Sequence, residues 1–109
     1  MQNYSKDLKK EIRQLAKIAH KRELENELSD LQEKFKEWED KKMNVFELDH
    51  EIYIYHVKIS RAIFKRYNND GQLDMVVASA VARGIIEIEE LSEKLLDSLK
   101  AIINRFGGV

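Results

Sequence analysis

The 109-residue chain reads as an all-α protein. It is one domain over residues 1–109, a long N-terminal antiparallel helical hairpin with two shorter C-terminal helices packed on it. Three observations predict this. There is no proline and there are only four glycines, two of them in the C-terminal tail, while 36% of residues are charged; this balance favours helices with solvated outer faces. Apolar residues recur at steps of three and four along most of the chain. The interior punctuation is sparse: a soft break at Lys41 to Asn44, a strong turn cluster at Asn68-Asn69-Asp70-Gly71, and Gly84. A chain of this size buries roughly 65% of its unfolded surface, which supports one core.

The first limb is predicted from about Ser5 to about Lys42. Ser5 is placed to cap it, with Asp7 in the first turn. Leu8, Ile12, Leu15 and Ala19 form one apolar stripe; Leu24, Leu28, Leu31, Phe35 and Trp38 form another. The step from Ala19 to Leu24 is five, so the buried face rotates near His20 to Glu23. With no breaker there, the reading is one helix that changes partner along its length; a kink is the competing reading.

The second limb runs to about Tyr67. Asn44 and Glu47 have capping-box spacing, and Met43 with Leu48 has that of a hydrophobic staple. Leu48, Ile52, Tyr55, Ile59 and Ile63 make one stripe; Phe46, Tyr53, Val57 and Phe64 make a second beside it. Together they cover roughly 200° at about 100° per residue, which predicts a central helix packed by the first limb on one side and by the C-terminal helices on another. The third helix, about Gln72 to Arg83, carries Leu73, Val76, Val77, Ala80 and Val81. Its small Ala78, Ser79 and Ala82 admit a close neighbour, and Gly84 stands at its C′ position. Ile85 to Glu90 connects to a fourth helix capped by Ser92, with Leu91 and Leu96 as staple and Leu95, Leu99, Ile102 and Phe106 as core stripe. The Gly107-Gly108 end is expected to fray.

Composition excludes some chemistry. The absence of cysteine removes disulfides, thiolate zinc sites and cysteine nucleophiles, and suits a reducing cytoplasm. Met1 to Lys10 is polar, so no signal peptide is expected, and no apolar stretch approaches a membrane span. A net charge of −1 gives no global pull toward nucleic acid or anionic membrane.

No motif carries an activity, and no cofactor or metal is expected. Glu47 and His50 form a single Glu-x-x-His. A di-iron bundle needs two such motifs and further carboxylates, and the hairpin sends His20 toward Tyr67, far from His50. Asp49, Tyr53, His56 and Ser60 fall within about 60° on the second limb, beside or inside its apolar arc. With Arg61 and Tyr67 they form a candidate polar core site, and His56 is its best single functional residue. A Ser-His-Asp triad is excluded, because Asp49 and His56 are about 10 Å apart along the axis. The expected role is a hydrogen-bonded ladder in the core; a small enzyme or ligand pocket around His56 is the alternative. Lys58, Arg61 and Lys65, with Arg66 nearby, form a basic stripe that a nucleic-acid-associated regulator would use on phosphates. A solvated outer face is the preferred reading, because exposed helix faces usually carry charge.

The division of charge is more informative. Ser5 to Arg22 holds seven basic and two acidic residues; Glu23 to Lys42 holds eight acidic and four basic. This opposes the helix macrodipole. The second limb does not cure it, since Glu47, Asp49 and Glu51 meet the acidic half and the basic stripe meets the basic half. Two complements are open: the acidic stretch Glu87 to Asp97, or an antiparallel second copy of the first limb about a two-fold axis near residue 22. The expectation is therefore a non-enzymatic interaction module, a homodimer or a binder of a protein partner through the first limb, without a membrane or nucleic-acid partner.

The segment Phe46-Glu47-Leu48, Ile52, His56, Arg61 and Lys65-Arg66-Tyr67, followed by an Ala/Val-rich helix ending in Gly84-Ile85-Ile86, resembles a loose group of short bacterial all-α proteins with no assigned activity. The resemblance covers roughly the second half of the chain. It implies a bacterial, cytoplasmic setting and transfers no site.

Overall fold

The computed structural model describes residues 1 and 3–107, and the described residues form helices and no strands. α1 (Lys6–Glu39) is one unbroken helix of 34 residues. α2 (Val45–Ile54), a six-residue π-helical segment (Tyr55–Ser60) and α3 (Arg61–Tyr67) follow in one continuous run, the second limb of the hairpin. A short 3₁₀ turn at Asp70–Gln72 leads into α4 (Leu73–Ala82), and a second at Ile88–Glu90 leads into α5 (Glu93–Arg105). The molecule is elongated, 53 × 24 × 20 Å, and α1 spans nearly the whole length at about 1.5 Å per residue. No helix is long and apolar enough to cross a membrane.

The boundaries follow local chemistry. The Ser5 hydroxyl accepts from Leu8 N, and Ser92 does the same for Leu95 N. Asn44 and Glu47 form a reciprocal capping box. α1 and α4 both end in Schellman turns. Lys42 N donates to Glu37 O and Lys41 N to Trp38 O; likewise Ile85 N donates to Ala80 O and Gly84 N to Val81 O. The C′ residue is left-handed in each, Gly84 at φ 79 and Lys41 at φ 60. Glycine carries no steric penalty there; lysine does.

The core sits at one end. Ile12, Leu15, Ala16 and Ala19 of α1 pack with Ile63 and Tyr67 of α3, Val77, Ala78, Ala80 and Val81 of α4, Ile86, Leu91, and Leu95, Leu99 and Ile103 of α5. Toward its other end α1 meets only the second limb, where Leu31 of α1 and Tyr55 and Ile59 line one side of the seam. The buried face of α1 therefore turns near Glu23 toward Leu24 and Leu31 within one unbroken helix, whereas Leu28, Phe35 and Trp38, expected on the same face, are exposed because a single limb lies against this end.

Two expectations are corrected. The second limb is not central: α4 is, with Ala78 and Ala80 fully buried, because its small side chains let α1 and α5 approach together. The second stripe of the second limb consequently faces solvent. On α5 the last core residue is Ile103, 1% exposed, and Phe106 is 46% exposed. Phe106 is the C-cap, and Gly107 at φ 85 turns the chain away from the core there. Gly107 is a turn residue; Gly108 lies outside the described residues.

The π segment is the feature that periodicity did not anticipate. Tyr55, Ile59, Ile63 and Tyr67 follow at successive steps of four. In an α-helix each such step drifts by about 40°. The wider π turn takes up this drift and keeps Ile63 and Tyr67 on the core.

The two C′ residues give a stability test. Lys41→Gly should stabilise the fold by about 0.5–1 kcal/mol, and Gly84→Ala should destabilise it by about 1 kcal/mol, both read from urea unfolding midpoints.

Candidate functional site

Among the described residues the buried charged side chain is Glu23, 7% exposed, where the buried face of α1 turns. Its two carboxylate oxygens accept from two different elements: Arg66 Nη1 of α3 at 2.8 Å and Arg83 Nη1 at the end of α4. Arg83 also donates from Nε to Ser79 Oγ at 3.2 Å and from Nη2 to Tyr67 Oη at 3.5 Å. The Tyr67 ring stacks on His20, with centroids 5.4 Å apart and planes 11° apart. Burial, then the Glu23 charge, pushes the Tyr67 hydroxyl up. Burial is the largest influence and works against the Arg83 charge, but the hydrogen bonds and charge of Glu23, with Tyr67, together outweigh it and the guanidinium is held more firmly protonated. The cluster thus ties α1, α3 and α4 together and borders a groove of about 530 Å³ that also reaches Asn26 and Lys58. With both oxygens engaged, Glu23 is built to hold arginines, not to act as a base.

A second tie is made by the preceding residue. Arg22 donates bidentately to Glu90, 2.7 Å on each branch, and from Nη1 to Ile85 O at 2.9 Å. These bonds, with Glu87 N donating to the same carboxylate, hold Glu90 down at about 2. Glu11 accepts from Ser92 N and Oγ. The acidic C-terminal stretch therefore answers part of the basic half of α1, through Arg22. Near the N-terminus, Tyr4 donates to Asp74 at 2.9 Å, and burial with that bond pushes its hydroxyl up to about 12.

The predicted polar core site is not in the core. Asp49, Tyr53, His56 and Arg61 are exposed on the second limb and Ser60 is half-buried, while Tyr67 alone is buried, apart from the rest. The cause is the one-sided core: the arc that holds these residues has no helix over it. His56, Val57, Ser60, Arg61 and Phe64 line an open groove of about 370 Å³. None of these five lining residues is a carboxylate. Glu47 spends its carboxylate on the cap, accepting from Asn44 N, and His50 stacks on Tyr53. His20 meets Tyr67 as the hairpin register predicts. Of the basic stripe, Lys58, Arg61 and Lys65 face solvent, whereas Arg66 is committed to Glu23.

Sequence reading missed Glu23 and Arg83 as a pair. The signal was present: Glu23 occupies the step where the apolar phase breaks, a core-facing place for a charged residue. No family model, curated protein or solved structure matches the chain.

Two outcomes follow. Arg66→Ala with Arg83→Ala strands Glu23 and should cost about 1–3 kcal/mol, less than a fully buried pair because both guanidiniums are partly exposed, and adding Glu23→Leu should recover most of it; unchanged stability on adding Glu23→Leu would show that the carboxylate was not the stranded group. Glu90 titrates lower in the folded chain than its ordinary value of 4.5, so its contribution is complete above about pH 4.5 and is lost as pH falls toward 2. Acid unfolding of Arg22→Ala should lack that component.

Proposed function

We propose that the chain is a non-enzymatic helical interaction module that self-associates through the outer face of α1. The observation that carries this is a stripe opposite the core: Gln14, Ile18, Lys21, Glu25, Leu28 and Gln32, all exposed. Their steps are four, three, four, three, four, the spacing of a coiled-coil seam. The stripe is also self-complementary about Glu23. An antiparallel copy sets Gln14 on Gln32, Ile18 on Leu28 and Lys21 on Glu25. Ile18 and Leu28 are 37% and 47% exposed, large apolar side chains that such a copy would cover.

Charge supports the same arrangement. Of the seven cations from Ser5 to Arg22, Arg22 is the one in an ion pair among the described residues. An antiparallel copy brings its acidic half over the others. The axis at Glu23 falls where the charge sign changes, so every half meets its opposite. A bacterial cytoplasm, with its reducing conditions, is the setting that goes with this reading.

A second reading, a small-ligand site beside His56, is favoured by the open groove there, although the groove lacks an acid–base pair.

Light scattering after size exclusion, at low and high salt, tests the leading reading. A mass above that of one chain is expected, reduced by Ile18→Asp with Leu28→Asp. Lys21→Glu should weaken association, and adding Glu25→Lys should restore it. A strict monomer at tens of micromolar would contradict it.

A further inference from the structure

The second limb carries another uncovered face. Phe46 is 82% exposed, Phe64 57% and Tyr53 54%. Asp49 and Arg61 are exposed, and Val57 is half-buried. These six residues follow at steps of three, four, four, four, three. In an α-helix the three steps of four would swing the stripe by about 120°; the π turn from Tyr55 to Ser60 takes up part of this. The stripe therefore stays on one side, away from the seam that Tyr55 and Ile59 make with α1.

The stripe reads alike from both ends. Residues equidistant from Tyr55 are Phe46 and Phe64, Asp49 and Arg61, and Tyr53 and Val57. An antiparallel copy would stack phenylalanine on phenylalanine at both ends, close two Asp49–Arg61 pairs and pack Tyr53 on Val57. The flanks agree: Glu47 and Glu51 lie toward one end, Lys58 and Lys65 toward the other, so antiparallel pairing matches charges that parallel pairing would oppose. Aromatic pairs add to the gain from covering apolar area, and the two charged residues among the apolar ones form pairs of opposite sign in the antiparallel arrangement.

We infer that the outer face of the second limb binds a second copy of this chain, antiparallel, about a two-fold axis at Tyr55. This face is separate from that on α1. Tyr55 is level with Leu31, with which it lines one groove, and Leu31 is about 12 Å along α1 from Glu23. The two axes do not meet, so use of both faces links copies into an open chain, not a closed tetramer.

Sedimentation velocity over rising concentration reads both faces in the full chain. With both in use the wild-type mass climbs beyond the dimer, Phe46→Asp with Phe64→Asp stops it at a dimer, and Ile18→Asp with Leu28→Asp stops it at the other dimer. If the α1 face fails alone, the wild type stops at a dimer that only the Phe46/Phe64 variant dissolves, which still supports the inference. A mass unmoved by that variant overturns it, with circular dichroism confirming the fold. The chain has no cysteine, so Phe46→Cys with Phe64→Cys should form a disulfide-linked dimer under mild oxidation. Phe46→Cys alone should not, since the two copies of that position lie about 27 Å apart; equal cross-linking by the single variant would show parallel pairing and overturn the inference. A monomeric wild type that instead binds duplex DNA, and loses it on Lys58→Ala, Arg61→Ala and Lys65→Ala, would overturn it as well.

Discussion

The rotation of the buried face of α1 at Glu23 governs the rest of the molecule. On one side of it α1 packs on α3, α4 and α5; on the other it has the second limb alone. A residue at that crossover must face the core while its neighbours turn from one partner to another. Glu23 does so with its charge held by Arg66 and Arg83. A buried carboxylate held by two partly exposed arginines adds little net stability over an apolar trio. It does fix where three helices meet, because an arginine displaced by one turn would leave the carboxylate stranded.

The crossover explains why the core is one-sided. A chain this short can close one core, and it closes where four helical segments converge. Beyond Glu23 the two limbs form a ribbon, and two helices in contact along one seam cannot cover apolar residues on their outer faces. Leu28, Phe35 and Trp38 on one limb and Phe46, Ile52 and Tyr53 on the other remain exposed. Two stripes, one on α1 and one on the second limb, read alike from both ends, and the proposed association rests on that order.

Much of the fold could be read from the residues, because its signals are local. Ser5, Asn44, Ser92 and Gly84 act through groups within a turn or two, and the step of five from Ala19 to Leu24 marks the crossover directly. What could not be read depends on which helix wins the centre. The wide apolar arc of the second limb looked like a central helix, yet α4 takes that place because alanine at 78 and 80 permits closer packing. The candidate site around His56 moved from core to surface for the same reason. The π segment was encoded in the successive steps from Tyr55 to Tyr67, a pattern readable only once Ile63 and Tyr67 are known to share the core.

The central claim is that the exposed aromatic and aliphatic faces are covered by other copies of the chain. Hydroxyl-radical footprinting of Phe46 and Leu28 across a concentration series measures this directly. Both are expected to become protected as concentration rises, while half-buried Met43, away from both stripes, keeps its reactivity. Reactivities of Phe46 and Leu28 that stay at their dilute-limit values would contradict it.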